Sequence, residues 1–145
     1  MASKEKITLI GIVISILIAI GFFNAPNIVM VRQTLYSVCP QYVSNSFGVI
    51  FLNNGNANTN LCVNVSSEDI KFKRNNDCLS IAPNPDKQTQ FIFNLETSSL
   101  PRKKTNISIS YDYYYSKYLF FPIKAKIICN YHTEGYVSSN LELIE

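Results

Sequence analysis

The feature that most constrains this chain is an uninterrupted apolar stretch near its N-terminus, residues 7–23, ITLIGIVISILIAIGFF. It holds no charged residue, and its only polar side chains belong to Thr8 and Ser15. As a helix these residues rise about 25 Å, close to the thickness of the hydrocarbon core of a bilayer. Because backbone groups inside a bilayer must pair within their own segment, the stretch predicts a transmembrane helix.

The flanking charges predict the orientation of this helix. Lys4 and Lys6 precede it, and the next basic residue is Arg32. Positive residues stay on the cytoplasmic side, so we expect a cytoplasmic N-terminus at residues 1–6, a transmembrane helix with its exit at 7–31, and an extracytoplasmic domain at 34–145. The expected location is the cell membrane, with a single pass and an extracellular C-terminal domain.

Two other interpretations of the stretch stay open. One is a cleaved secretory signal, for which Ala19 to Gly21 supplies a weak cleavage site. The other is a buried helix of a soluble protein. The apolar run is longer than the 7–15 residues usual for a signal, and apolar residues continue at 28–31. A retained anchor is therefore favoured, and the first two interpretations both export the rest of the chain.

Beyond residue 33 the pattern is that of β-strands joined by polar turns. Val, Ile, Phe and Tyr recur among Asn, Ser and Thr, and residues 61–66 and 106–115 alternate apolar and polar side chains. Strands are predicted at 35–39, 47–52, 61–66, 78–82, 89–95, 106–115 and 122–131. Residues 70–73 are either a second half of the strand at 61–66 or a new strand, and 137–144 are a strand or ordered coil. Seven or eight short strands without a helical period predict an all-β, antiparallel β-sandwich.

Four cysteines lie in the predicted exported part, Cys39, Cys62, Cys78 and Cys129. An even number in an oxidising compartment favours two disulfides, for which three pairings exist. Cys62 and Cys78 are close enough to close a hairpin, which leaves Cys39 with Cys129. This pairing is favoured, and the other two stay open.

The residues give little support to catalysis. The chain has one histidine, His132, and no G-x-S-x-G turn, C-x-x-C pair, nucleotide-binding motif or calcium-loop spacing. The sequence therefore predicts no enzyme, no catalytic residue, no cofactor and no metal site. A net charge of +3 is too small to indicate a nucleic-acid partner.

Two features point to contact with other molecules. The first is an aromatic cluster around 111–121, in which Tyr111 and Tyr113 are expected to be core or sheet-edge residues. The residues expected to be exposed and to bind a partner are Tyr114, Tyr118, Phe120 and Phe121. The second is a pair of N-x-S sequons that make Asn64 and Asn106 candidate glycosylation sites.

Three runs resemble a known family: FGVIFLNNGNANTNLCVNV, PNPDKQTQFIFNL and TNISISYDYYY. Together they are similar to the CARDB-like or NEW3-like immunoglobulin-like surface domains of archaea and bacteria, over roughly residues 45–131. The resemblance implies an immunoglobulin-like β-sandwich that acts as a spacer or binding module of the envelope, with no catalytic residue. The chain departs from the family in its four cysteines and in standing as one domain behind an anchor.

These features lead to one expected function and two alternatives. We expect a membrane-anchored, extracytoplasmic structural or protein-interaction subunit of the cell envelope, with a protein partner or self-association and with glycans. The first alternative is an accessory or stator-like subunit of a surface filament or secretion machine, whose layout the chain resembles. The second is a small envelope metal carrier or enzyme.

Overall fold

The computed structural model describes residues 2–31, 39–40, 42–43, 45–96, 105–114, 122–131 and 137–144 of the 145. The chain begins with one helix, α1 (Ala2–Phe23), and continues as strands. The strands are β1 (Ile28–Met30), β2 (Tyr42–Val43), β3 (Ser46–Asn53), β4 (Thr59–Ser66), β5 (Asn76–Ile81), β6 (Asn84–Asn94), β7 (Thr105–Tyr114), β8 (Pro122–Tyr131) and β9 (Val137–Ile144).

The described strands form two sheets in which every pairing is antiparallel. In sheet A, β3 lies in the centre, with β1 and β2 along one edge and β6 along the other. Sheet B has the order β5-β4-β7-β8-β9. The all-β prediction and the antiparallel pairing are therefore confirmed.

One hydrophobic core joins the two sheets. Sheet A contributes four phenylalanines that are at most 1% exposed, and sheet B contributes aliphatic side chains. The ring of Phe51 in β3 meets that of Tyr111 in β7 edge to face, with centroids 5.0 Å apart. Side chains from both sheets therefore interdigitate, giving a sandwich-like arrangement. The largest fully buried side chains are Phe47, Phe51, Phe91, Phe93, Leu61, Ile81, Ile107, Ile109, Ile127, Val49, Val63 and Val65.

Most predicted strands correspond to observed ones, with two corrections. Ile28 to Met30, expected to belong to the helix exit, pairs with the end of β3 as strand β1. Residues 70–73, predicted as a strand, make only an isolated bridge between Phe72 and Leu95. The predicted strand at 35–39 falls outside the described residues except for Cys39, and the ambiguous segment 137–144 is strand β9.

The prediction for the N-terminal stretch is corrected on one point. The helix forms as expected, but no helix in the described part of the chain is both long and apolar enough to cross a membrane.

Candidate interaction surfaces

Helix α1 carries apolar side chains on all its sides and leaves them exposed. Every residue from 7 to 20 is exposed, and the large aliphatic side chains among them are 45–67% exposed. Successive residues are about 100° apart around a helix, so these residues cover its whole circumference. The hydroxyl of Ser15 donates to the carbonyl of Gly11 at 2.9 Å and so adds little polarity to that surface. A helix that is apolar all round is typical of one enclosed by other apolar groups.

The exit of α1 is clamped to the sandwich by the side chain of Asn53, which is fully buried. Its Oδ1 accepts hydrogen bonds from the backbone N–H groups of Asn27, at 3.1 Å, and Gly55, at 3.0 Å. Its Nδ2 donates to the carbonyls of Ala57, at 2.9 Å, and Ile81, at 3.3 Å. One amide thus ties together the helix exit, the β3–β4 turn and the end of β5.

Backbone contacts complete the clamp. The N–H of Asn54 donates to the carbonyl of Asn27 at 2.8 Å, and that of Asn56 to the carbonyl of Ala25 at 3.0 Å. A Cβ on Gly55 would overlap the backbone around Pro26, so only glycine fits there. Asn24 alone separates the end of α1 from this bonded segment. The helix is therefore joined to the sandwich by a short, fixed connection.

The outer face of sheet A carries several apolar side chains beside the exposed polar side chains of Gln90 and Asn94, whereas an exposed sheet face is ordinarily polar throughout. Inward and outward residues alternate along β3, which places Ile50 and Leu52 on the outer face, both half-buried. Val29 pairs with Leu52 and is 41% exposed, while Ile92 on β6 is 56% exposed. We call Val29, Ile50, Leu52 and Ile92 the sheet A patch. Strand β3 thus has apolar side chains on both faces, which explains why its sequence FGVIFL is a continuous apolar run.

The outer face of sheet B has the opposite character. It presents asparagine, serine and lysine from β4, β7 and β8, and both predicted glycosylation sites belong to it. Asn64 and Asn106 are exposed, and the sequon serines Ser66 and Ser108 lie directly opposite each other on β4 and β7. The positions of Asn64 and Asn106 are sterically open to a glycan, and their glycosylation stays a prediction.

The aromatic cluster is only partly described. Tyr113 is buried at 8% exposure and Tyr111 packs against Phe51, as expected of sheet aromatics. Tyr114 is 55% exposed at the end of β7. The other predicted partner-binding residues, Tyr118, Phe120 and Phe121, lie outside the described residues. The structure therefore places Tyr114 on the surface, and the partner-binding role of the set stays a prediction.

All four cysteines are paired, in the way that the sequence favoured. Cys62 and Cys78 face each other on β4 and β5, where Cys62 is half-buried and Cys78 exposed. Cys39 and Cys129 join the segment before β2 to β8, and both are at most 1% exposed. The first disulfide pins an edge strand, and the second crosses the core.

Two shallow depressions lie around the turn after β4. One has a volume of about 380 Å³ and is lined by Ser66, Ser67, Glu68, Asp69, Asn106, Ser108 and Ile128. The other, of about 270 Å³, is lined by Val65, Ser66, Ser67, Ile70, Lys71, Phe72, Asn75 and Glu96. Among the described residues no three His, Cys, Asp or Glu side chains are placed to hold a metal ion. His132 lies outside the described residues.

Two tyrosines of the sandwich have pKa values raised by burial. Burial raises the pKa of Tyr131 well above its usual range. Burial, and to a lesser extent the neighbouring Tyr113, raises the pKa of Tyr111. Both hydroxyls therefore stay protonated at neutral pH, which suits a structural role better than proton transfer.

Sequence reasoning missed two elements of these surfaces. Asn53 lies in the asparagine-rich stretch 53–60, between the predicted strands at 47–52 and 61–66, and nothing local marks it as the buried member. The sheet A patch was hidden in an apolar run that is equally typical of a strand buried on both faces. The absence of polar residues from 47–52 was the signal available, and it became interpretable only with the pairing of β1 and β6.

Comparison with known proteins gives no relative from which a role could be transferred. The chain matches no protein-family model, no curated protein and no solved structure.

Proposed function

We propose that this chain is an exported, immunoglobulin-like structural or protein-interaction subunit of the cell envelope. One observation carries the proposal: a helix that is apolar on all sides is joined by a short, hydrogen-bonded connection to a disulfide-stapled β-sandwich. Such a surface is costly to leave in water, so its natural use is contact with another apolar surface. A transmembrane span is not part of the proposal.

The strand order supports the immunoglobulin-like assignment. The order β1/β2–β3–β6 in sheet A corresponds to strands A–B–E of that fold, and β5-β4-β7-β8 in sheet B corresponds to C′-C-F-G. Strand β9 is an addition beside the position of G. The CARDB-like resemblance is compatible with this order, which many unrelated sandwiches share.

The disulfides support export. Two structural disulfides with no unpaired cysteine are typical of proteins in an oxidising compartment and rare in the cytosol. An extracellular location of the β-sandwich, at the cell envelope, is therefore part of the proposal.

Fractionation of the native host, followed by alkylation without reduction and mass measurement, tests the location. We expect the chain in the envelope fraction with no alkylated cysteine. Recovery from the cytosol with four alkylated thiols would contradict the proposal.

Chemical crosslinking in intact cells, before lysis, tests the interaction role. The expected result is a specific crosslinked species, and a chain that is never crosslinked contradicts that role.

A second candidate function is that of a subunit of a surface filament or secretion machine. The observation that favours it is the presence of two separate apolar surfaces, α1 and the sheet A patch, on one small protein. Electron microscopy of sheared surface material from cells with and without the gene tests it. Loss of a filament in the deletion strain is expected, and an unchanged surface would contradict this candidate function.

The metal-carrier or enzyme alternative stays a prediction, to be tested by metal analysis of the purified chain.

A further inference from the structure

We infer that Asn54 is a site of spontaneous deamidation and backbone rearrangement, and that the buried amide of Asn53 controls its rate. The chain contains one Asn-Gly dipeptide, Asn54-Gly55, and it lies in the turn between β3 and β4. Asparagine deamidates fastest before glycine, because glycine has no side chain to hinder attack by its own backbone nitrogen. The inference does not depend on the proposed location or interaction role.

The reaction needs only water as a co-reactant. The backbone nitrogen of Gly55 attacks the side-chain carbonyl carbon, Cγ, of Asn54 and forms an N–Cγ bond. The bond from Cγ to Nδ2 breaks, and ammonia leaves with the proton that the Gly55 nitrogen gives up. Water then opens the cyclic imide at either carbonyl. Opening at Cγ yields aspartate in an unaltered main chain, and opening at the backbone carbonyl yields isoaspartate, whose main chain is longer by one methylene.

Hydrogen bonds hold the attacking nitrogen in the folded chain. The N–H of Gly55 donates to Oδ1 of Asn53 at 3.0 Å, so the proton that the reaction must remove is engaged. On either side of this group, the N–H of Asn54 donates to the carbonyl of Asn27 at 2.8 Å, and the N–H of Asn56 is bonded as well. These bonds oppose the rotation that would bring the nitrogen of Gly55 onto Cγ.

Packing opposes the same rotation. A Cβ on Gly55 would overlap backbone atoms of Ala25, Pro26 and Asn27, so the peptide group has no room to turn while these residues stay in place. The side chain of Asn54 is exposed, and water can therefore reach the product imide. The step that limits the reaction is then local opening of the contacts between the turn and residues 25–27.

The two products differ in what they do to these contacts. Aspartate keeps the length of the main chain and an exposed side chain, so the contacts re-form. The extra methylene of isoaspartate moves Gly55 relative to Asn53, at a place where the neighbouring backbone leaves no space. The bonds cannot all re-form, and the short connection between α1 and the sandwich becomes permanently loose.

Peptide mapping of the purified full chain measures the rate. Folded protein and urea-unfolded protein are incubated at neutral pH in heavy-oxygen water, which labels each residue deamidated during the incubation. We expect Asn54 to react at least about tenfold more slowly in the folded chain, which corresponds to an opening free energy of about 1.4 kcal/mol or more. Equal rates in the two states would overturn the inference.

Asn53→Ala separates the role of this amide from general stability. Its folded rate should rise by about tenfold or more, because the Gly55 N–H loses its acceptor. Ile109→Ala is the matched control: Ile109 is 0% exposed on β7, so its loss destabilises the sandwich without touching the turn. Both are measured where circular dichroism shows them folded, and the control should react at the wild-type rate. Equal rates in the two variants would show that Asn53 is not the controlling group.

Hydrogen exchange tests the inference without any substitution. The protection of the Gly55 N–H in the wild type should match the slowing of deamidation, since both require the same opening. An unprotected Gly55 N–H would contradict the inference.

The isolated isoaspartate form should lose protection at Asn27 and Gly55 while β7 keeps its own, and Asn54→Asp should keep both. Unchanged protection in the isoaspartate form would show that the rearrangement leaves the connection intact.

Discussion

The hydroxyl of Tyr131 donates a hydrogen bond of 2.6 Å to the carbonyl of Pro40, which lies 91 residues earlier in the chain. Pro40 follows Cys39, and Tyr131 lies two residues after Cys129, so the bond sits beside the core disulfide. The ring of Tyr131 also packs edge to face on Phe47, with centroids 5.4 Å apart. A covalent bond, a hydrogen bond and an aromatic contact thus hold the same corner of the sandwich.

The buried hydroxyl of Tyr131 should make the free energy of unfolding fall at alkaline pH. Burial raises the pKa of Tyr131 above the value of about 10 that it has in the unfolded chain. The stabilisation is fully present below pH 10, and it is lost as the pH rises from there toward the folded pKa, because only the unfolded state gives up the proton. Urea unfolding between pH 8 and about 11 should show the decline. In Tyr131→Phe we expect a stability about 1 kcal/mol lower at neutral pH and a weaker decline; an unchanged decline would exclude Tyr131 as its source.

Removal of the buried Asn53 amide should be among the most destabilising single changes outside the hydrophobic core. Asn53→Ala leaves two N–H groups and two carbonyls without this partner, in one buried contact, with the Ile81 carbonyl, and three part-buried ones. The expected loss is about 3 kcal/mol or more, since each buried group left unpaired costs about 1–3 kcal/mol. Chemical denaturation measures it. Asn60→Ala, at an exposed position of β4, is the control and should change stability by less than about 0.5 kcal/mol.

The two disulfides should differ in how readily they are reduced. Cys78 is exposed, whereas Cys39 and Cys129 are at most 1% exposed. A mild reductant reaches Cys62–Cys78 in the native protein and reaches Cys39–Cys129 only after unfolding. Alkylation with mass measurement over time should therefore show a species with two modified cysteines, Cys62 and Cys78, before one with four. Simultaneous modification of all four would contradict the assignment.

Loss of a core aromatic should cost far more than loss of a patch residue. Phe51 is 0% exposed and meets the rings of Phe91, at 5.7 Å, and Tyr111, at 5.0 Å. Phe51→Ala is expected to lose about 3–5 kcal/mol through the cavity it creates. Ile92→Ala, on the outer face of the same sheet, should lose less than about 1 kcal/mol because half of its side chain is already in water. Equal losses would show that the patch is part of the core.

Glycan occupancy can be read from the mass of the protein purified from its native host. The exposed side chains of Asn64 and Asn106 predict one added glycan for each sequon used. Asn64→Gln and Asn106→Gln should each remove one increment of mass. Asn94→Gln, exposed on β6 but without a sequon, is the control and should remove none. A wild-type mass equal to that of the bare chain would show that neither site is used.

The alternation of apolar and polar residues made the strands of sheet B predictable. The absence of such alternation in β3 limited the prediction of sheet A. In β4 the order of Leu61, Val63 and Val65 with polar residues between them fixes strand and face together, and all three are buried. In β3 every residue from Phe47 to Leu52 is apolar or glycine, so the strand is predictable but its faces are not. Strand β1 has three residues beside a longer apolar stretch, and only its partner β3 distinguishes it from a connector.

The surfaces were harder to predict than the core because they depend on contacts distant in sequence. The partners of Asn53 come from residues 27, 55, 57 and 81, and no local rule selects it from the six asparagines in residues 53–64. The sequence predicted the apolar character of α1 but not its fixed attachment. The pairing of the cysteines was predictable because the short spacing of Cys62 and Cys78 favours a bond between them. Cys39 and Cys129 then remain to form the second disulfide.

The fixed attachment of α1 also determines how the molecule bears load. A force applied to the helix is transmitted through Asn27 to β3, the central strand of sheet A, because no flexible linker lies between them. The ladder between β1 and β3 is then loaded along its length, in shear, so its bonds resist together instead of opening one at a time. The force needed to unfold this protein would accordingly be set by the β-sandwich and not by the connection between the sandwich and α1.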